Sequence, residues 1–449
     1  MKIQLSDHFT YKKLLKFTLP SIVMMVFSSI YGVVDGFFVS NFAGETEFAA
    51  LNFIYPFIMM LGAFGFMFGA GGSALISKTM GEGDMKRARS LFSLVVYFSA
   101  ALGVVLSVLG IIFVRPVAML MGAEGEMLED CVIYGRIILA VLPAFMLQME
   151  FQTFFVMAEK PKLGLYATLA SGITNMVLDA LFVGLLPWGL VGAAVATAIS
   201  QLVGGIIPVI YFFRPNTSLL RLGKTEYDGK ALLKTFTNGS SELMSNISMS
   251  LVGMLYNIQL MSYAGQEGVA AYGVLMYVNF AFISIFIGYV VGISPVISYH
   301  YGAGNTDELK SLLKKSILLL SLSSVAMLLA GELLALPLSK LFVGGNPYLL
   351  QMTLRGFRIF SFSFLFAGFA IFGSSFFTAL NDGLTSAIIS FLRTLIFQTA
   401  AVIILPLIWD LDGIWASIIV AELMAVVVTV IFLVAKRKKI QILKNSVNA

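Results

Sequence analysis

The chain has 449 residues, of which 59% are hydrophobic and only 12% charged, and its mean hydropathy is +0.92. Soluble domains carry about 25% charged residues, so this composition excludes a soluble globular protein. The net charge of +5 comes from basic residues scattered through short loops, which argues against a nucleic-acid-binding patch and for a membrane orientation signal.

Charge-poor runs long enough to cross roughly 30 Å of hydrocarbon recur along the chain. The polar, basic N-terminal residues 1–16 lack a signal-peptide cleavage pattern, so we expect the first span to remain uncleaved. The sequence predicts an all-α integral membrane protein with twelve transmembrane helices. The predicted spans are 15–40, 49–77, 91–114, 132–158, 162–185, 190–213, 238–263, 269–299, 316–338, 350–379, 385–408 and 413–435.

Loop charges predict the orientation. With both termini in the cytoplasm, most of the 29 Lys and Arg residues lie on the inner side, as the positive-inside rule requires. The basic clusters at residues 86–89, 214–234 and 436–439 are all cytoplasmic in this arrangement. We therefore expect a multi-pass protein with both termini in the cytoplasm.

The two halves of the chain match at a constant shift of 221 residues. Gly81-Glu82-Gly83 aligns with Gly302-Ala303-Gly304, and Gly192 aligns with Gly413. Each half has an even number of spans, so both enter the membrane from the same side. This pattern predicts two six-helix lobes related by a pseudo-two-fold axis along the membrane normal.

The predicted domains follow from this duplication. Residues 1–213 form the N-terminal six-helix lobe, and residues 235–449 form the C-terminal lobe with its basic cytoplasmic tail. The charged segment 214–234 is the predicted cytoplasmic linker between them.

Acidic residues inside the spans need a physical reason, because a centrally placed charge costs about 2.5–3.5 kcal/mol on insertion scales. The shift of 221 places Tyr256 opposite Asp35 and Ala400 opposite Asp179, so this carboxylate pair belongs to the first lobe only. An architectural role would be expected in both lobes. The other intramembrane acids are Glu150 and Glu422, whose role is left open, and Glu242 and Glu332, which lie near span ends and can snorkel.

Depth brings several polar residues to one layer. Asp35, Asp179 and Thr197 are each roughly 7–11 Å from the outer ends of their helices, and Asn175 is one turn from Asp179 on the same face. Two carboxylates with neutral oxygen donors suit a small hard cation or a shared proton. The alternative is that these groups only hold helices together, which is worth about 0.6–2 kcal/mol per contact in membranes.

Two stretches are similar to a known family. The first span contains Ile30-Tyr31-Gly32-Val33-Val34-Asp35-Gly36-Phe37-Phe38-Val39, and the fifth and sixth contain Asn175-Met176-Val177-Leu178-Asp179 and Gly189-Leu190-Val191-Gly192-Ala193-Ala194-Val195-Ala196-Thr197. This pattern resembles the multidrug and toxic compound extrusion (MATE) family, most closely its DinF-like and MepA-like bacterial branch.

The resemblance implies a monomeric antiporter of the bacterial cytoplasmic membrane. Such a protein exports small lipophilic organic cations by alternating access in exchange for Na⁺ or H⁺ and needs no other cofactor. The residues at the positions linked to cation coupling in that branch are Asp35, Asn175, Asp179 and Thr197, with Tyr134 as a neighbour. These residues are therefore the predicted Na⁺ or H⁺ site.

Three other functions are considered. A lipid-linked oligosaccharide flippase of the same superfamily would be expected to line its cavity with basic groups, whereas the lone mid-span base, Arg393, is expected to be isolated. A membrane enzyme would need a nucleophile with a base or a metal triad, which two histidines and one cysteine make improbable. A channel is disfavoured because a duplicated architecture suits two lobes that rock against each other better than it suits a fixed pore.

Overall fold

The computed structural model describes residues 3–43 and 45–436, and within them the secondary structure is helical without strands. Three π-helical turns, Val39–Ala43, Ala180–Leu185 and Leu392–Phe397, interrupt the regular helices. The α-helices are α1 Tyr11–Phe38, α2 Glu45–Gly81, α3 Met85–Leu120, α4 Gly125–Ala140, α5 Leu142–Met157, α6 Pro161–Asp179, α7 Gly189–Phe213, α8 Gly229–Gly302, α9 Thr306–Val343, α10 Pro347–Ser361, α11 Phe364–Ala379, α12 Gly383–Phe391, α13 Gln398–Ile404 and α14 Pro406–Ala435.

These helices make twelve spans in the described part of the chain. Nine helical segments are long and apolar enough to cross a membrane, and the bent pairs α4–α5 and α10–α11 add two more. The segment α8 contains two spans, because Gly265 breaks it with φ 62° and ψ −155°. A positive φ is costly for residues with a Cβ, so glycine at this position allows the sharp turn between the two spans. The predicted number of spans is confirmed.

The duplication is visible in how equivalent helices begin. The Asp84 side chain caps α3 by accepting a hydrogen bond from the Arg87 amide, and Asn305, its equivalent at the shift of 221, caps α9 through the Glu308 amide. Each cap follows a glycine with positive φ. A capping side chain satisfies an amide left unpaired at a helix start, so both repeats use the same local device to begin their third helix.

The lobes pack against each other along α2 and α8. A Cβ added to Gly81 would overlap the Tyr299 carbonyl oxygen, and one added to Gly302 would overlap the Lys78 carbonyl oxygen. Lys78 and Tyr299 are themselves equivalent under the shift of 221, so these two contacts are related by the repeat. The predicted arrangement of two six-helix lobes with pseudo-two-fold symmetry is confirmed.

The segment between α7 and α8 is residues 214–228, because α8 begins at Gly229, five residues before the predicted end of the linker. It packs on α3: Arg89 Nε donates to the Leu219 carbonyl at 2.9 Å, and the Tyr97 hydroxyl donates to the Gly223 carbonyl at 3.1 Å. The linker is thus held against the first lobe. The domain limits inferred from the sequence stay predictions.

The N-terminal segment, residues 3–10, lies against both lobes at the end where α2 and α8 meet. The Leu5 amide donates to Glu159 Oε1 at 2.9 Å in the first lobe. The Phe9 amide donates to Glu308 Oε1 at 2.9 Å in α9, and His8 Nδ1 lies 2.5 Å from Glu308 Oε2. Leu5 and Phe9 are fully buried. This segment therefore connects the two lobes, and we call it the N-terminal strap.

Candidate cation site in the first lobe

Three of the predicted site residues form a hydrogen-bonded chain across three spans. Thr197 Oγ1 in α7 donates to Asp35 Oδ1 in α1 at 3.4 Å, and Asn175 Nδ2 in α6 donates to Thr197 Oγ1 at 3.3 Å. Both distances are long for hydrogen bonds, which indicates loose coordination between the groups. The structure thus brings these residues together, while their role in cation coupling stays a prediction.

Asp179 is the second carboxyl group of the site and is completely buried. It lies close enough to Asp35 for the two carboxyl groups to interact electrostatically. Neither Asp179 oxygen makes a hydrogen bond to a described residue, and Asn175 Oδ1 is also unpaired. An unpaired buried acceptor costs free energy, and a bound cation or proton would remove that cost.

Two glutamines that the sequence analysis did not select extend the site inward. Gln148 Nε2 donates to Ser171 Oγ at 3.0 Å, and its Oε1 has no partner among the described residues. Gln201 Oε1 is likewise unpaired, one turn beyond Thr197 in α7. An amide side chain inside a charge-poor span is polar and can mark a binding site, as a carboxylate can. Gln201 lies four residues after Thr197, so it is on the same helix face, and this spacing could have indicated that it belongs to the site.

Aromatic hydroxyls surround these acceptors. Tyr134, which the resemblance suggested as a neighbour, is 3% exposed and interacts electrostatically with Asp35, Asp179 and Tyr55. Tyr31 interacts with Asp35 and with Gln148. The site therefore combines two carboxyl groups and several amide oxygens with the hydroxyls of tyrosines. This donor set suits a hard cation such as Na⁺, which prefers oxygen ligands, and it can equally hold a proton between the carboxyl groups.

The equivalent region of the second lobe has a different chemistry. Tyr256 stands in the place of Asp35, and its hydroxyl lies 2.7 Å from Ser417 Oγ. Its ring stacks on Tyr272 with centroids 5.1 Å apart. Since Ala400 replaces Asp179, the second lobe has no counterpart of the carboxylate pair.

The expectation that Arg393 is isolated is wrong. Arg393 Nε and Nη2 donate to Glu422 Oε2 and Oε1, each at 2.8 Å, in a bidentate ion pair between the spans α12–α13 and α14. Glu242 is near enough to interact electrostatically with Arg393. Glu422, one of the two acids left open, is therefore the partner of Arg393 and lies outside the first-lobe site.

The remaining acids are outside the site as well. Ser361 Oγ donates to Glu332 Oε1 at 2.6 Å, so this carboxyl group has a structural partner. Glu150 is fully buried, and neither of its carboxyl oxygens makes a hydrogen bond to a described residue. It lies on α5 and is separate from the chain formed by Asp35, Thr197 and Asn175.

Comparison with known proteins identifies relatives over the whole chain. The MatE family model matches residues 20–181 and 243–403, one segment in each lobe. The chain is 25% identical over 443 residues to the multidrug export protein MepA of Staphylococcus haemolyticus (strain JCSC1435), covering 97% of this chain and 96% of that protein.

Solved structures share the fold. One is described as the outward-facing conformation of a multidrug resistance MATE family transporter of the MOP superfamily, with TM-score 0.92, 23% identity and coverage of 99% and 98% of the two chains. Another, a MOP superfamily transporter from Pyrococcus furiosus, has TM-score 0.89 and 22% identity, with coverage of 98% of each chain, and is described as having a binding pocket of reversed polarity that suggests a different function. At these identities the likeness concerns the fold alone.

Proposed function

Because the chain belongs to the MatE family, we propose that it exports small lipophilic organic cations from the bacterial cytoplasm in exchange for Na⁺ or H⁺ moving inward. The observation that supports this function most directly is the first-lobe site, where two interacting carboxyl groups lie among unpaired amide oxygens. The name of the staphylococcal relative agrees with multidrug export. The same fold occurs in a transporter that is described as having a binding pocket of reversed polarity. The fold alone therefore does not determine the function, and we rely on the acidic character of the site to choose between cation efflux and lipid flipping.

The two carboxyl groups of the site can couple export of the organic cation to entry of Na⁺ or H⁺. Asp35 and Asp179 are too close to remain charged together at low cost, so a cation or a proton stabilises the pair. Loading from outside neutralises the carboxyl groups and weakens retention of an organic cation. The membrane potential contributes about 2.3 kcal/mol per charge per 100 mV for full transfer, which favours inward movement of the coupling ion.

Alternating access requires the lobes to move relative to each other. Contact of α2 with α8 through Gly81 and Gly302 closes one end of the interface, and with both termini cytoplasmic this is the inner end. Rocking of the lobes about the central cavity would open that end and close the other. The N-terminal strap would have to release at least one lobe during this motion.

The second candidate is flipping of a lipid-linked oligosaccharide. Recognition of a pyrophosphate would need available basic groups in the cavity. Arg393, the mid-span base, is already neutralised by its bidentate pair with Glu422. Efflux of cations is therefore the better-supported function.

Reconstitution into vesicles tests the proposal. We expect export of a lipophilic cationic dye to be driven by an imposed Na⁺ or pH gradient, and a matched anionic dye to be exported far less. The Asp35→Asn variant serves as the inactive control. Equal export of both dyes, or export unaffected by either gradient, would contradict the proposed function.

A further inference from the structure

Glu150 is a buried acid that the proposed coupling site does not use. It lies on α5 with no exposed surface, and both carboxyl oxygens lack hydrogen-bond partners among the described residues. Ser99 of α3 is close enough to interact with the carboxyl group, but its own hydroxyl is also unpaired. A charged carboxylate without donors is very costly in such a place, whereas a protonated one is tolerated.

Glu150 is separate from the first-lobe cation site. Gln148, two residues earlier on α5, faces Tyr31 and Ser171 on the side of that site. Residues two apart on a helix point in nearly opposite directions, so Glu150 faces away, toward α2 and α3. On α2 its neighbour is Gly69, where an added Cβ would lie 3.2 Å from the Glu150 Cα.

The second lobe covers the helices that enclose Glu150. Phe68, adjacent to Gly69, and Phe98, adjacent to Ser99, both pack on Phe236 of α8. The ring centroids are 5.1 Å and 5.9 Å apart, respectively. Phe236 of the second lobe thus packs against both α2 and α3, the two helices next to Glu150. Phe68 and Phe98 also contact each other, with ring centroids 5.9 Å apart. Parting of the lobes at this end would therefore remove Phe236 from a three-ring cluster beside Glu150.

We propose that Glu150 is a second proton-binding site, whose occupancy is linked to closure of the lobes around Phe236. The proton is held on a carboxyl oxygen while the lobes are packed together, and it passes to water when the lobes part and the carboxylate becomes hydrated. This inference rests on the proposed alternating access and adds to it a proton site inside the first lobe. Because the closed form binds the proton more tightly, linkage requires acid pH to favour the closed form and alkaline pH to favour the parted one.

Distances between the lobes test the linkage without any transport. Spin labels at positions 86 and 310, both exposed, would be introduced into the full chain with Cys131→Ala, in lipid nanodiscs without substrate or Na⁺. We expect the distance between the labels to lengthen as the pH rises. Glu150→Gln, which mimics the protonated acid, should keep the short distance at every pH. The matched control is Glu332→Gln, which changes an acid with a hydrogen-bond partner and should behave like the parent.

Two results would overturn the proposal: a parent protein with no pH dependence, and a Glu150→Gln variant that retains it. Should Glu150→Gln fail to fold, Ser99→Ala decides instead. Ser99 is the hydroxyl placed to donate to the carboxylate once Glu150 is charged, so its removal should move the midpoint up by about one pH unit, as expected for a charged group that loses a donor. An unchanged midpoint would overturn the site. Failure of gradient-driven dye export would contradict the antiport function and leave these distances as they are.

Discussion

Gly302 of the second lobe lies against the Lys78 carbonyl group of the first so closely that no side chain could stand between them. We expect Gly302→Ala to weaken the contact between the lobes, because an added methyl group here meets rigid backbone. Overpacking of this kind costs about 1–3 kcal/mol. The thermal midpoint of the purified protein should fall.

Gly253→Ala is the matched control for this change. Gly253 also lies in α8, but an added Cβ there meets nothing within 4 Å. Alanine at an open helical position stabilises by about 0.5–1 kcal/mol, so the midpoint should stay the same or rise slightly. Equal loss of stability in the two variants would argue against a special role for the Gly302 contact.

The buried ion pair of the second lobe predicts an asymmetric mutational effect. Arg393→Leu should destabilise by about 3–5 kcal/mol, because it removes the partner of Glu422, which is buried. The double variant Arg393→Leu with Glu422→Leu should recover most of that loss, since it removes both charges together. Thermal unfolding of the single and double variants measures this coupling. A double variant no more stable than Arg393→Leu would contradict it.

For the first-lobe site, Asp35→Asn and Asp179→Asn should each abolish gradient-driven export while membrane insertion and folding persist. Thr197→Ala and Asn175→Ala should weaken Na⁺-driven export more than H⁺-driven export, because a proton needs no coordination shell. Dye export from vesicles under separate Na⁺ and pH gradients distinguishes these effects. Glu332→Gln is the control. Unimpaired coupled export by Asp35→Asn would remove the mechanism.

The N-terminal strap predicts a change in protease sensitivity. Glu308→Gln should loosen the strap, because Glu308 accepts the Phe9 amide and contacts His8. Lys12 and Lys13 lie in the first turn of α1, directly after the strap, so trypsin should then cleave faster after these residues, as followed by mass spectrometry. Glu82→Gln, which removes only an exposed pair with Lys78, should leave the cleavage rate unchanged. Equal cleavage rates in the parent and both variants would show that Glu308 does not hold the strap.

Orientation can be tested by cysteine labelling in intact cells. Tyr227→Cys lies in the exposed linker and Glu126→Cys in an exposed turn at the start of α4. With both termini in the cytoplasm, an impermeant reagent should label position 126 and spare position 227. Labelling of position 227 alone would reverse the proposed orientation.

The sequence was sufficient to predict the twelve spans and the proximity of Asp35, Asn175 and Thr197, since these depend on helix length and depth. The duplication was predictable from the residues that match at the shift of 221. The sequence was insufficient to predict the Arg393–Glu422 pair, because that contact depends on how two lipid-facing spans are rotated about their axes. The π-helical turn Leu392–Phe397 contains Arg393 and changes its direction relative to an ideal 3.6-residue helix. Apolar periodicity gives no sign of such a turn.

The two halves share equivalent helix caps and equivalent contacts between the lobes. They differ in that Tyr256 and Ala400 replace the carboxylate pair in the second half. A symmetric dimer of one six-helix lobe would have presented two identical cation sites to the same cavity. In this chain the second lobe lacks the pair but keeps the equivalent contact surfaces. Each molecule therefore has one such pair, and its occupancy by Na⁺ should follow a simple saturation curve, without the sigmoidal response that equivalent interacting sites can produce.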